Sequence, residues 1–243
     1  MQEAMMIKEL IRKAKRIVVF SGAGFSTESK IPDFRSDNGI YRKKIYPYPC
    51  EVMISHDFFI KDGEQFYEFY RNEMIYEKAL PNKGHLAVAK LEKLGKLEAV
   101  ITQNIDGLHQ KAGNQKVFEL HGSIHRNYCM ECHTFYGLDK ITKSQGIPRC
   151  DQCGGRVKPD VVLYQEGLDQ QVVEGALNAL ARADLLIIAG TSLVVYPAAG
   201  FIHYYGGKDI IVINHDVTQA DQNATVVSHD NIGDVLDFIN TEW

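Results

Sequence analysis

The chain has 243 residues, 45% of them apolar and 24% charged, with a formal net charge of -4. That length suits one large domain or a domain with a smaller satellite, and that apolar fraction suits a globular fold that buries its core without disulfides. The mild acidity excludes nucleic-acid binding through bulk electrostatics, and no apolar run approaches the length of a membrane span.

The first residues, MQEAMMIKELIRKAKR, mix acids and bases and lack the uninterrupted apolar core of a signal peptide. They read as an amphipathic helix with Ile7, Leu10 and Ile11 on one face, and a cytoplasmic location follows as the default. Basic clusters at 13–16 and 42–44 are explained by solvated faces. Residues 16–20 (RIVVF) form a short, partly β-branched run suited to a buried parallel strand. It passes into Gly22-Ala23-Gly24-Phe25-Ser26-Thr27, where small residues allow a sharp turn and a close approach to a phosphate. Thr27 stands at the third glycine position of the dinucleotide fingerprint, so the loop by itself also reads as a tight turn without a ligand. Ile31-Pro32-Asp33-Phe34-Arg35 follows, an aromatic beside a guanidinium that suits stacking and anion contact or a surface packing pair.

Residues 37–83 are dense in tyrosine and phenylalanine and helical in period over 63–79, which marks a helical insertion rather than another strand. A helix over 83–94 feeds a strand over 98–101, in the alternation of a parallel α/β sheet. That strand ends in Gln103, Asn104, Ile105 and Asp106, and a second run over 116–120 ends in His121-Gly122-Ser123. Ligands in open α/β sheets sit at such carboxyl ends. Taken alone, Asn104, Asp106 and Gly107 read equally as a capping turn and His121 as a satisfied loop histidine.

Cys129-x-x-Cys132 and Cys150-x-x-Cys153, seventeen residues apart, have the spacing of a two-knuckle zinc site. Four thiolates leave no position for water, so this zinc would be structural; free thiols or a redox pair are the alternatives. Cys50 stands alone and reads as structural or neutral. Strand character resumes over 157–164, a helix covers 169–183, and strands at 184–189 and 209–213 end in Gly190-Thr191-Ser192 and in Asn214. A short strand over 225–227 and a helix over 231–240 close the chain, for about six parallel strands in all.

These motifs, in this order and over nearly the whole chain, resemble the sirtuins, the NAD-dependent protein lysine deacylases. The resemblance implies an α/β fold: a Rossmann-like parallel sheet over residues 1–36, 84–123 and 157–243, and a smaller domain formed by the helical insertion 37–83 and a zinc-ribbon insertion 124–156. It implies that Gly22, Ala23, Gly24, Thr27, Phe34, Arg35, Gly190, Thr191, Ser192 and Asn214 hold the dinucleotide, with a backbone contact near Ile232. Ile105 and Asp106 would hold the nicotinamide amide, Gln103 and Asn104 would position ribose and an ordered water, and His121 would be the general base. The acyl oxygen would attack the ribose carbon as nicotinamide leaves. His121 would then take a proton from a ribose hydroxyl, and water would release lysine and O-acyl-ADP-ribose.

The implied partners are acetylated proteins or peptides, with NAD as co-substrate, one structural zinc, and neither nucleic acid nor membrane. The sequence carries no signal of oligomeric state. Three departures stand out: Lys30 at a usual glycine, Ser36 where many members have glycine, and Gln165 in place of the glycine of a VVFFGE-like strand near Val161, Val162 and Glu166. That strand edge would pair with the substrate backbone. Family members that prefer succinyl or malonyl lysine carry Tyr-x-x-Arg in the helical insertion; here Tyr67 is followed by Tyr70, or Tyr70 by Glu73, so deacetylation is expected over desuccinylation. Arg71, a neighbour in sequence, would point elsewhere on a helix. The rival readings are a mono-ADP-ribosyltransferase or NAD hydrolase, a deacylase of other short acyl groups, a non-catalytic NAD sensor and an ordinary dehydrogenase. The last lacks the full glycine fingerprint.

Overall fold

The computed structural model describes residues 2–34, 36, 39–42 and 46–243. Its strands follow in chain order as β1 (Ile17–Ser21), β2 (Leu97–Thr102), β3 (Val117–Glu119), β4 (Gly122–Cys129), β5 (Phe135–Tyr136), β6 (Val157–Val161), β7 (Leu185–Ala189), β8 (Asp209–Ile213) and β9 (Val226–Ser228). The α-helices are α1 (Gln2–Lys13), α2 (Cys50–Met53), α3 (His56–Lys61), α4 (Gly63–Phe69), α5 (Lys83–Lys93), α6 (Leu108–Ala112), α7 (Asp139–Thr142), α8 (Gln170–Arg182) and α9 (Ile232–Glu242). Six strands form a parallel sheet in the order β3-β2-β1-β7-β8-β9. From β1 the chain builds outward to β2 and β3 on one side and later to β7, β8 and β9 on the other. The order therefore reverses beside β1, which opens a crevice at the carboxyl ends of the central strands.

The continuous apolar runs are explained by helices on both faces of this sheet, which leave its strands no solvent side. Alternate residues serve opposite cores. Ile17 and Val19 of β1 join Leu185 and Ile187 of β7 in a cluster with Ile7, Ile11, Val88, Leu91, Leu236 and Ile239. Val18 and Phe20 join Leu186 and Ile188 in a second cluster with Ala176, Ala179 and Leu180. Helix ends follow local rules: Asp169 accepts from Val172 N–H at the start of α8, and Asn82 forms a capping box with His85 at the start of α5.

Two elements differ from the sequence expectation. Residues 157–161 do not extend the parallel sheet; β6 pairs antiparallel with β4, which also pairs with β5. Its alternating burial, buried at Val157, Pro159 and Val161 and half-buried between them, is that of a sheet with one covered face. The helical period over 63–79 breaks earlier than expected, since α4 ends at Phe69 and a π-helical turn covers Tyr70–Met74. The side chains of both insertions share a third core, in which Phe59, Phe66, Tyr67 and Tyr70 pack with Ile141, Cys150 and Val157.

Behind the crevice two imidazoles are buried side by side. His85 and His109 have ring centroids 4.8 Å apart, and each lies 4.9 Å from the Phe25 ring. Burial pushes His109 down to about 3, and burial together with the neighbouring His109 pushes His85 down to about 2. Both stay neutral in the fold but protonate in the unfolded chain below its ordinary value near 6.5, so their contribution is present above that pH and lost on acidification. Lowering pH from 7 to 5 is expected to cost about 4 kcal/mol of stability through this pair. Urea unfolding at the two pH values measures it, and an unchanged midpoint would contradict the neutral buried pair.

Candidate functional site

The crevice begins where β1 and β7 end together. Gly22 N–H donates to Ala189 O at 3.2 Å and Gly24 N–H donates to Gly190 O at 2.8 Å, so the two loops lie against one another. Gly190 has φ +64, and a Cβ there would come within 2.2 Å of Phe25 N; one at Gly24 would come within 2.9 Å of the Gly190 Cα. Glycine is required for this approach. After Gly22 the chain turns into the 3-10 segment Ala23–Ser29, with Thr27 Oγ1 donating to Gly24 O at 3.0 Å.

The end of β2 is tied to this loop by side chains. Asn104 is buried; its amide donates to Gly22 O at 2.9 Å and to Ser26 Oγ at 3.2 Å. Ser26 Oγ in turn donates to Asp106 Oδ2 at 2.7 Å, while Asp106 Oδ1 accepts from Leu108 N–H at 2.8 Å. Asp106 thus makes the expected capping contact, the Asn104 side chain does not, and both join one network with the glycine loop. Burial raises the Asp106 carboxyl against the opposing pull of these hydrogen bonds. Beneath them, Thr102 Oγ1 accepts from Asn104 N–H at 3.0 Å and from Ser21 Oγ at 2.9 Å, and His109 Nε2 lies 3.0 Å from Ser21 Oγ. Gln103 spans the crevice, its amide donating to Thr191 Oγ1 at 2.9 Å.

His121 joins the same place because β3 is the strand next to β2. Leu120 N–H donates to Thr102 O at 2.9 Å, and His121 Nδ1 lies 2.9 Å from Gln103 O. A carbonyl only accepts, so Nδ1 carries the proton and Nε2 is the free acceptor. Burial lowers the His121 pKa against the raising effect of that hydrogen bond, which favours the neutral ring.

Two adjoining cavities open at these strand ends. One, of about 170 Å³, is lined by Gly22, Ala23, Gly24, Thr27, Gly190, Thr191, Ser192, Asn214 and Ile232. The other, of about 220 Å³, is lined by Ile105, Asp106, Tyr70, Glu73, Val161, Val162, Tyr164 and Gln165. Phe34, Gln103, Asn104 and His121 line both. Asn214 sits at the end of β8 as expected, with its amide donating to Asp216 O at 2.8 Å. Arg35 lies outside the described residues. At the mouth of the larger cavity the Tyr41 and Tyr164 hydroxyls meet at 2.8 Å.

The four paired cysteines converge on one point. All Sγ atoms of Cys129, Cys132, Cys150 and Cys153 lie within 4.8 Å of one another, with close pairs at 3.4–3.5 Å. Four thiolates around a tetrahedral zinc stand about 3.8 Å apart, given Zn–S near 2.3 Å, so this donor set fits one zinc ion. Glu131 N–H points to Cys129 Sγ and Gln152 N–H to Cys150 Sγ, both at 3.4 Å, as the two CxxC turns require.

A model of the Sir2 family matches residues 22–197. The chain belongs to the Sir2 family. An NAD-dependent protein deacetylase of Clostridium perfringens (strain 13 / Type A) is 56% identical over 95% of this chain and 95% of its own. A Sir2 structure determined for the mechanism and regulation of these enzymes superposes with a TM-score of 0.89 at 40% identity, covering 99% of this chain and 97% of that one. Another, a histidine-to-alanine Sir2 variant with a deacetylated p53 peptide and 3′-O-acetyl ADP-ribose, has a TM-score of 0.89 at 37% identity over 99% and 98%.

Among Sir2 chains the departures noted above acquire a backbone meaning. Lys30 has φ +65 and Gln165 φ +78, so each holds a left-handed position that suits glycine. Ser36 N–H donates to Asp33 Oδ1 at 2.9 Å, a local turn that its own residue type does not require. The lip at 163–166 also differs from a free strand edge: Tyr164 N–H donates to Ile54 O and Tyr164 O accepts from His56 N–H, each at 3.0 Å. Ser21, Ser26, Thr102 and His109 have no task legible in the sequence, because a strand-end hydroxyl or a helix histidine carries no local signal of its three-dimensional partners.

Proposed function

We infer that this Sir2 chain is an NAD-dependent protein lysine deacetylase, transferring an acetyl group from lysine to ADP-ribose with release of nicotinamide. The observation that carries this reading is the convergence of His121, Asn104 and Asp106 on adjoining cavities that share their inner wall. The smaller cavity suits a dinucleotide: close-packed glycines leave room for phosphate, and Thr191, Ser192 and Asn214 offer hydroxyl and amide groups. Gly22, Ala23, Gly24, Thr27, Phe34, Arg35, Gly190, Thr191, Ser192, Asn214 and Ile232 would hold NAD. Ile105 and Asp106 would hold its nicotinamide end. When bound, NAD supplies an electrophilic ribose carbon with nicotinamide as leaving group.

The protein's part is to bind, orient and move one proton. Asn104, held by Gly22 and Ser26, fixes the floor shared by both cavities, and Gln103 fixes His121 through its carbonyl and Thr191 through its amide. Neutral His121 accepts a proton at Nε2, and the burial that lowers its pKa favours that neutral form at neutral pH. The zinc site, with four thiolates and no open position, organises the small sheet and takes no part in the reaction. The same reading divides the chain into a cofactor-binding unit and a smaller unit built on the insertions 37–83 and 124–156, to whose sheet β6 also belongs, in a cytoplasmic protein that acts on acetylated proteins.

The larger cavity supports acetyl over acidic acyl groups. Its charged lining residues are Glu73, Asp106 and Glu166, with neither lysine nor arginine among the described ones. Arg71 is turned away: its Nε donates to Ile141 O at 2.8 Å, and another of its nitrogens donates to Gly146 O. A succinyl carboxylate would enter beside acidic groups in a cavity whose described lining offers no lysine or arginine to receive it. Incubation of acetyl- and succinyl-peptides with NAD, followed by mass spectrometry, is expected to yield deacetylated peptide, nicotinamide and O-acetyl-ADP-ribose. The succinyl peptide should turn over at least about tenfold more slowly. Nicotinamide release independent of acyl-peptide would favour an NAD hydrolase or ADP-ribosyltransferase instead.

A further inference from the structure

Gln165 is a long side chain at a left-handed backbone position, and it lines the larger cavity between Tyr164 and Glu166. Its amide is turned onto the start of α3. Nε2 donates to Asp57 Oδ2 at 2.9 Å, and Oε1 accepts from Asp57 N–H at 3.0 Å. That N–H is one of the donors a helix start leaves without an intrahelical partner. Its neighbours are also satisfied: Phe58 N–H by the N-cap Ser55 Oγ at 3.2 Å, and His56 N–H by Tyr164 O of the lip at 3.0 Å. Glu166 completes the clasp, with Oε1 2.9 Å from His56 Nδ1 and Oε2 accepting from Leu163 N–H at 2.9 Å and from Lys158 Nζ at 3.0 Å. The helix start and the cavity lip therefore order one another.

We propose that the reciprocal Gln165–Asp57 pair is a specificity-determining device for the acyl-peptide: it holds the cavity lip in its left-handed conformation and so sets peptide affinity, not cofactor affinity. A non-glycine residue at this φ is unfavourable by itself and persists where the surroundings over-determine it. Here the Gln165 side chain adds two hydrogen bonds from outside the cavity to the Tyr164 and Glu166 contacts that already tie the lip to the start of α3. Asp57 is exposed and lines neither cavity, and its side chain meets the lip at Gln165. Gln165 itself lines the larger cavity and not the smaller. Loss of the pair would leave the lip to be ordered by the arriving peptide, which appears as weaker peptide binding.

This rests on the deacetylase reading, and the test separates the two. Steady-state kinetics with an acetyl-lysine peptide and NAD are compared for the unaltered chain, Asp57→Ala, Asp57→Asn, Gln165→Gly and the double variant Asp57→Ala/Gln165→Gly. Asp57→Ala is expected to raise the peptide KM about fivefold while the NAD KM and kcat stay within about twofold. Asp57→Asn keeps an acceptor oxygen and the backbone N–H, and should restore the peptide KM. In the Gln165→Gly background, where glycine takes the left-handed conformation freely, Asp57→Ala should have no further effect. The proposal is overturned if Asp57→Ala leaves the peptide KM unchanged, moves both KM values together, or acts equally in both backgrounds. Absence of turnover in the unaltered chain would instead overturn the deacetylase reading.

Discussion

Replacing His121 by alanine is expected to lower deacetylation by about 10²–10⁴-fold, the range of a positioned general base. Nε2 is the free acceptor of this ring because Nδ1 is committed to Gln103 O, so no other nitrogen of the residue substitutes for it. Because His121 is reached through β3 and lines the cavity wall without joining an apolar cluster, the variant should keep its melting temperature and its zinc. Activity of the unaltered chain should also fall on acidification. Burial lowers the folded-state pKa of His121, so the neutral base persists below the ordinary value near 6.5 and is lost only as pH drops through the lowered value. The acid limb of the pH–rate profile therefore belongs below pH 6.5 and should vanish from the residual rate of the variant. Full activity in His121→Ala would remove the general-base assignment.

Removing the zinc is expected to act on folding, not on one kinetic constant. Cys129 and Cys150 are buried, and their side chains belong to the same core as Phe59, Tyr67 and Val157. Tyr67 hydroxyl donates to Val157 O, which links the helical insertion to β6 and thence to β4, the strand that carries Cys129. Structural zinc sites contribute on the order of 10 kcal/mol, comparable to the whole stability of a domain. Cys129→Ala or Cys150→Ala should therefore lose bound metal, near-ultraviolet circular dichroism and the cooperative melting of the small sheet together. Metal analysis beside thermal unfolding measures this. A soluble, cooperatively folded, zinc-free variant would show that the thiolates are dispensable for the fold.

These expectations rest on different kinds of legibility. The zinc ligands could be read from the sequence because each CxxC turn is local: two residues fix the geometry of two thiolates. The buried strands are equally plain, since a strand covered on both faces must be a continuous apolar run, as β7 and residues 17–20 of β1 are. Glycine at 22, 24 and 190 signalled tight turns, and the repeated pairing of an apolar run with a polar end marked where ligands gather.

Tertiary structure decided what lies between those landmarks, because pairing across the chain leaves no local trace. Whether β6 joins the parallel or the antiparallel sheet depends on β4 reaching it, which a short apolar run cannot announce. The link from His109 through Ser21 and Thr102 to Asn104 crosses more than 80 positions, and each member is an ordinary strand-end or helix residue on its own. The same holds for the Gln165–Asp57 pair, 108 positions apart, where a departure from glycine became intelligible only once its φ and its partner were known. Residue type and spacing thus determined the zinc set, the sheet and the family motifs of this protein. The fold decided which groups meet, because hydrogen bonds and burial act on distances in space that the chain fixes only when its strands are in register.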